Sequence, residues 1–351
     1  WEQRKLGEIS NIIAGGDKNI NKIKKYGKYP VIANSINKNG IVGYYDNEYR
    51  VKAPAVTVTG RGEIGHAVAR FQNFTPIVRL LALSSKLDPI FLANSINKIR
   101  FFNESTGVPQ LTKPQLSTYS IIIPSVEEQN NIGKLILLIE KYIHLQQRKL
   151  KLLKVMKKAL SQYMFCQEIE FVPILRFNSF SDKWKYERLK NLIVKEIKGK
   201  AKADMKGTKS TYIDTALLNG GSITKVDSPT DTFHNDIIIL WDGSQAGKIY
   251  HGFTGALGST LKSYKPKYSG GFLYQYLKSK EPIIFLRYRT PNIPHVVKDF
   301  TEIFKINIPS VKEQEKISKT LNYLDQSILV ETKKIGSIKK IKKFLLQNMF
   351  I

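Results

Sequence analysis

The chain has 351 residues, and its 56 Lys+Arg against 29 Asp+Glu give a formal net charge of +27, more than one ordinary domain in length and far more charge than solubility alone favours. Such an excess calls for a polyanion; the basic residues spread over both halves instead of flanking an apolar anchor, which favours nucleic acid over a membrane. The single cysteine, Cys166, excludes an internal disulfide and a multi-cysteine metal site and fits a reducing, cytoplasmic setting, and no apolar run reaches the ~20 residues of a membrane span.

From the N-terminus, Trp1 to about Tyr119 reads as a strand-rich mixed α/β domain, with short β-prone runs such as Ala55–Thr59 broken by Gly, Asn and Pro. The first residues lack an initiator Met and a signal-peptide core, so the N-terminus reads as trimmed. The opening, Trp1-x3-Lys5-Leu6-x2-Ile9, reads as a short helix packed on its domain. Lys18 and Lys22, in the basic stretch Lys18 to Lys28, suit phosphate contacts. Asn34, Ser35, Asn37 and Gln110 offer donor and acceptor groups suited to bases. The run Val56 to His66 leads from a strand into a Gly turn, where positive φ lets backbone approach a phosphate or base. Arg61 there has the geometry for bidentate readout of guanine, and His66 closes the turn. A solvated hairpin tip is the plainer alternative.

Pro124-Ser125-Val126-Glu127-Glu128 carries a capping-box signature and starts a helix. Its apolar residues follow a 4,3 spacing through Ile132, Ile136, Ile139, Ile143, Leu150, Leu153, Leu160 and Met164. That is a coiled-coil seam of about 40 residues, ~60 Å at 1.5 Å per residue.

A second variable stretch, about Phe171 to Phe304, begins with a leader, Val172 to Lys183, followed by Trp184-x3-Arg188-Leu189-x2-Leu192, which matches the opening of the first. Lys202 and Lys209, in the basic stretch Lys195 to Lys209, and Arg287 and Arg289 suit phosphates. Ile239 to Lys248 is a second strand-to-Gly turn, offering Trp241, Ser244, Gln245 and Lys248, with Gln245 suited to adenine. The closing segment Ile293-Pro294-His295-Val296 mirrors Val108-Pro109-Gln110-Leu111 at an offset of 185, and His295 stands where Gln110 stood. A second seam follows, through Ile317, Leu321, Leu324, Ile328, Ile335, Ile338, Leu345 and Met349.

Residues 121–165 and 306–350 align without a gap at that same offset, with 18 identities in 45 positions. Even the polar interruptions coincide, Gln146 and Lys157 against Glu331 and Lys342. A lone stripe of this kind usually packs on its own domain. Two of equal phase each supply the other's partner, and two equivalent units separated by about 140 residues make the pair antiparallel, with pseudo-twofold symmetry. The expected fold is mixed α/β: two strand-rich domains joined by two long antiparallel coiled-coil helices.

Catalytic signatures are missing. Asp88-Pro89-Ile90-Phe91 lacks the second Pro of an amino-methyltransferase motif, and a Pro turn before an apolar element explains it better. Glu196-Ile197-Lys198 has a nuclease-like Glu-x-Lys spacing but no preceding Pro-Asp, no Walker loop occurs, and the five histidines show no metal-ligand spacing. No catalytic or metal residue is assigned.

The order of parts resembles the specificity subunit of type I restriction-modification systems. The resemblance rests on Ile123-Pro124-Ser125-Val126-Glu127-Glu128-Gln129, on Ile308-Pro309-Ser310-Val311-Lys312-Glu313-Gln314, on the leader Leu175-Arg176-Phe177 and on the two Gly turns. It covers essentially the whole chain, and it departs in having no leader before Trp1. It implies target-recognition domains at 1–122 and 167–307, the latter with its leader at 167–183, and conserved spacer helices at 123–166 and 308–351. It further implies a non-catalytic subunit that reads a bipartite site in double-stranded DNA. Its partners would be two modification (methyltransferase) subunits, which bind S-adenosylmethionine and methylate adenine N6, and restriction/translocase subunits; this chain would hold no cofactor. Two other readings stay open: a nuclease or methyltransferase with a cryptic site, and a structural coiled coil without sequence preference.

Overall fold

A computed structural model describes residues 1–102, 108–167 and 170–350; the parts of the expected domains at 103–107, 168, 169 and 351 lie outside the described residues. The chain forms two units, Trp1–Gln147 with Lys333–Ile351, and Arg148–Thr332, so the division falls inside both long helices.

In chain order the first half carries β1 (Glu2–Lys5), α1 (Leu6–Ile9), β2 (Ser10–Ala14), β3 (Tyr29–Ile32), β4 (Ile41–Tyr45), β5 (Ala55–Thr59), β6 (Ala67–Arg70), β7 (Thr75–Pro76), β8 (Leu80–Ser85), α2 (Pro89–Lys98), α3 (Lys113–Thr118), β9 (Ser120–Ile123) and α4 (Val126–Tyr163). The second carries β10 (Lys185–Arg188), β11 (Ile193–Lys198), β12 (Lys206–Ile213), α5 (Thr215–Leu218), β13 (Lys225–Val226), β14 (Ile237–Leu240), β15 (Ile249–His251), β16 (Ala256–Leu257), β17 (Leu261–Pro266), α6 (Gly270–Ser279), α7 (Glu281–Arg287), α8 (Phe300–Ile303), β18 (Lys305–Ile308) and α9 (Val311–Asn348).

The first unit has a sheet ordered β2-β8-β5-β6, a smaller one ordered β4-β3-β7 and a ribbon β1-β9; the second has β11-β17-β14-β15, β13-β12-β16 and a ribbon β10-β18. Strand for strand the diagrams coincide, including the parallel pairs β3/β7 and β12/β16. The duplication therefore runs through the stretches whose sequences are unlike. A central strand asks only for apolar side chains of suitable volume. Every residue of β5 (Ala-Val-Thr-Val-Thr) and of β14 (Ile-Ile-Ile-Leu) is buried accordingly.

The predicted opening helices are shorter than expected. Leu6–Ile9 is helical and Leu189–Leu192 forms a 3-10 turn, but the residues before them are strands that pair with β9 and β18, which lead into the long helices. In Asp88-Pro89-Ile90-Phe91, Asp88 is an N-cap: its Oδ1 accepts from the Ile90 and Phe91 N–H groups at 2.9 and 2.8 Å, and Pro89 opens α2.

Both long helices have 38 residues and start and stop at matched places, about 57 Å of rod. Every predicted seam residue, from Ile132 to Met164 and from Ile317 to Met349, is buried or half-buried, but Met164 and Met349 lie just past the helix ends. In the first unit Ile132 and Ile136 cluster with Phe350, Leu346 and Met349, and Lys342 Nζ meets Glu140 Oε1 at 2.7 Å. In the second, Leu160 packs on the cluster holding Ile317 and Leu321, Lys149 meets Glu331 at 3.1 Å and Lys157 pairs with Asp325. Within each unit the numbers rise along one helix as they fall along the other, so the helices run antiparallel. The polar interruptions Lys157, Glu331 and Lys342 carry these cross-helix ion pairs.

The capping boxes depart from expectation. Ser125 Oγ accepts from the Glu128 N–H at 3.3 Å, but the glutamates turn to their domains: Glu128 accepts from Trp1 Nε1 at 3.1 Å, and buried Glu313 takes a two-pronged bond from Arg176 of the leader, both arms 2.8 Å. Gln129 and Gln314 donate to the Pro124 and Pro309 carbonyls, each at 3.0 Å. At one more matched place the close approach is set by glycine. A Cβ on Gly133 of α4 would meet Asp88 at 2.3 Å, and one on Gly271 of α6 would meet Ser318 of α9 at 2.2 Å.

Candidate nucleic-acid interface

In the first unit β5 delivers Thr59, whose N–H donates to the His66 carbonyl at 3.1 Å while the Gly65 N–H donates back to Thr59 at 2.8 Å. The turn between them needs left-handed backbone at Gly62 (φ 75°) and Gly65 (φ 84°). Three strands of contact then lock it from outside. Asn34 Oδ1 accepts from the Gly60 and Arg61 N–H groups at 2.7 and 3.3 Å, and its Nδ2 donates to the Arg61 carbonyl at 2.8 Å. The closing segment is bonded on through Gly62 N–H to Pro109 O (3.0 Å) and Leu111 N–H to Gly60 O (2.8 Å), so Arg61 and Gln110 form a β-bridge. Gly60 N–H also reaches the Arg79 carbonyl at 3.0 Å. The outcome is a rim on which Arg61, His66, Arg79 and Gln110 are exposed.

The second unit builds the same frame. Leu240 N–H donates to Lys248 O (2.9 Å), Gly247 N–H to Leu240 O (2.7 Å), Gly243 N–H to Pro294 O (2.9 Å) and Val296 N–H to Trp241 O (2.9 Å). Asp242 and His295 form the β-bridge, and Trp241 N–H bonds the Thr260 carbonyl at 2.8 Å where the first unit uses Arg79. The two Gly turns and the two closing segments, separate signals in the sequence, are thus one constellation, present twice.

The side chains differ. Gln245 Oε1 accepts from Lys248 Nζ at 2.7 Å, Arg289 Nη2 donates to the Ser244 carbonyl at 3.1 Å, and Lys198 holds Asp242 at 2.7 Å. His295 Nδ1 lies 3.0 Å from both Thr290 Oγ1 and the Ile293 carbonyl. Trp241, read as a DNA contact, is a core residue only 6% exposed, with Lys262 Nζ over its ring at 3.5 Å. Its ring continues the unbroken apolar run of β14 on the face of Ile237 and Ile239, and that run alone could have placed it inside.

Of the remaining candidates, Asn34 serves the turn, while Ser35, next to Asn34 in sequence, accepts at Oγ from the Asn37 N–H at 3.2 Å. Lys18 and Lys202 are exposed just past equivalent bridges, Gly16↔Ile77 and Ala201↔Gly258; Ala201 also accepts from the Ser259 N–H at 3.2 Å, beside the Thr260 turn. Lys22 is paired with Glu48 at 3.0 Å and Lys209 is exposed on β12, neither bonded to a Gly turn among the described residues. Arg287 ends α7 and lines a hollow with Tyr186, Tyr288 and Phe304. Arg79 was missed, because nothing in its neighbours marks the turn it occupies.

Electrostatically the first rim is cationic, and neither Arg61 nor Arg79 forms an ion pair among the described residues. Arg70, behind it, is bonded to Thr57 Oγ1 at 2.9 Å, and burial lowers its pKa to about 10. Glu196 and Lys198 of the nuclease-like spacing are held in pairs with Lys262 and Asp242. Among the described residues no group of His, Cys, Asp and Glu could hold a metal ion, and no helix is long and apolar enough to cross a membrane. Burial drives the Cys166 thiol up to about 12, a value for an inert core thiol.

Residues 1–155 and 181–340 match the family model described as type I restriction modification DNA specificity domain. The chain is similar to the type I restriction enzyme MjaVIII specificity subunit of Methanocaldococcus jannaschii, 34% identical over 178 residues, which cover 48% of this chain and 42% of that protein. It thus spans about two fifths of the length of that curated relative. In fold it is similar to the type I restriction-modification S subunit from M. genitalium, with a TM-score of 0.74 and 16% identity over 100% of this chain and 96% of that one. It is also similar, at TM-score 0.55 and 13% identity over 99% and 96% of the two chains, to a structure described as the basis of complex assembly and conformational transition of the type I R-M system.

Proposed function

Because the chain belongs to the type I restriction modification DNA specificity domain family, we propose that it is a non-catalytic reader of a bipartite site in double-stranded DNA, one half-site to each strand-rich domain. The carrying observation is the repeated rim: one backbone frame of Gly turn, bridged closing segment and neighbouring turn, bearing Arg61, Arg79 and Gln110 in one unit and Ser244, Gln245, Lys248 and His295 in the other. A constant frame with unlike side chains suits two different base sequences, and the +27 charge suits the phosphates between and around them.

The antiparallel helices serve as the spacer that fixes the unread gap. Half-sites one helical turn apart, ~34 to 36 Å, fit beside a rod of about 57 Å. The outer face of α4 leaves Leu135, Leu138, Tyr142, Leu145, Leu152 and Met156 exposed at heptad spacing, a second apolar stripe that the seam does not use. That stripe supports docking of a partner, and we propose as its partners modification subunits that bind S-adenosylmethionine and methylate adenine, with restriction/translocase subunits, in the cytoplasm. Selection from a randomised duplex pool with the full chain tests the reading. Two enriched motifs at a fixed gap are expected, with no methyl transfer by the chain alone; a single contiguous motif, no motif, or methylation without a partner would overturn it.

A further inference from the structure

We propose that Arg79, acting with Gln110, is a specificity determinant of the first domain and reads a guanine; the inference rests on the DNA-reading function above. Arg79 is exposed in the tight turn between β7 and β8 and adopts φ 72°, a left-handed backbone that any residue with a Cβ disfavours. A glycine or asparagine would suit that turn better. The equivalent turn of the second unit, Ser259-Thr260, has no left-handed residue. The strain therefore belongs to this arginine and not to the fold, and an outlier of this kind points to a role for its side chain.

What that side chain does is set by its neighbour. Arg79 Nη1 donates to Gln110 Oε1 at 3.4 Å, and Gln110 is the residue that bridges Arg61. With its oxygen turned to the guanidinium, Gln110 presents its amide N–H2, and Arg79 presents its remaining N–H groups. The pair is a donor-rich surface, and Arg61 beside it adds further donors. In the major groove the edge that offers two acceptors and no donor is that of guanine, through O6 and N7. At the matching places of the second unit stand Thr260 and His295, whose Nδ1 is already engaged by Thr290 and Ile293, so that domain lacks the donor pair.

The test compares the parent chain with Arg79→Gly and Arg79→Lys in selection from a duplex pool randomised over both half-sites, with melting curves alongside. Arg79→Gly relaxes the left-handed turn, so it should melt no lower than the parent. It should lose preference for guanine at one position of one half-site by roughly tenfold or more. The other half-site should be unchanged. Arg79→Lys should weaken the same preference while keeping most of the affinity, because a point charge replaces a bidentate fork. A parent that discriminates and an Arg79→Gly chain that matches it at every position would overturn the assignment alone. Loss spread over both half-sites with a lower melting temperature would do the same by making Arg79 a folding residue. A parent with no base preference would overturn the DNA-reading function as well.

Discussion

His251 ends β15 with its ring stacked on Tyr274 at 5.3 Å and its Nε2 buried without a hydrogen-bond partner. Burial, aided by the neighbouring His234, lowers its pKa from 6.5 to about 4. The unfolded chain therefore binds the proton between pH 6.5 and about 4 while the folded chain does not, so stability rises with pH across that window and the contribution is lost as pH falls through it. His251→Phe keeps the stack and removes the proton. Its stability relative to the parent should improve as pH drops from about 7 to about 4.5; a difference in denaturation midpoint that stays flat would contradict the assignment. At this scale the sequence was partly legible. Arg61, Gln110, Gln245 and His295 were picked out as polar groups beside Gly and Pro, and they do share the rims. Trp241 was misplaced because an aromatic next to a Gly turn looks like a contact until the unbroken apolar run before it is counted. Arg79 left no trace, since a left-handed φ has no letter of its own.

Among the elements, the leader and the start of α9 are joined through the most enclosed charge pair of the second unit. Glu313 is 1% and Arg176 11% exposed, with both arms of the guanidinium on the carboxylate, which holds the Arg176 pKa up. Arg176→Ala would strand a buried carboxylate, and a loss of roughly 3–5 kcal/mol is expected. Thermal unfolding of the two chains measures it, and a change under about 1 kcal/mol would mean water or another cation reaches Glu313. The helices themselves were legible to within about three residues at each end, Val126–Tyr163 within 123–166 and Val311–Asn348 within 308–351, because a 4,3 apolar spacing and a Pro-Ser start are local signals. The ribbons β1-β9 and β10-β18 were not. Each joins strands more than a hundred residues apart, Glu2 to Ile123 and Lys185 to Ile308, and a four-residue strand at an edge announces itself only through its partner.

For the whole molecule, the repeat visible in the helices proves to be the visible part of a duplication that takes in every sheet, β2-β8-β5-β6 matched by β11-β17-β14-β15. The middle of each domain lost its likeness because buried strands constrain polarity and volume but not identity, whereas two helices that must fit each other along a seam keep register, interruptions and ends. The account therefore rests on a division of labour: rims that read and helices that measure. Removing one heptad from each helix at facing positions tests it most directly. The rod shortens by about 10 Å, close to three base pairs. Selection from a randomised duplex pool should then return both half-site motifs unchanged with the gap between them shorter by about that amount. The same gap retained after the deletion, or altered half-site motifs, would contradict the account.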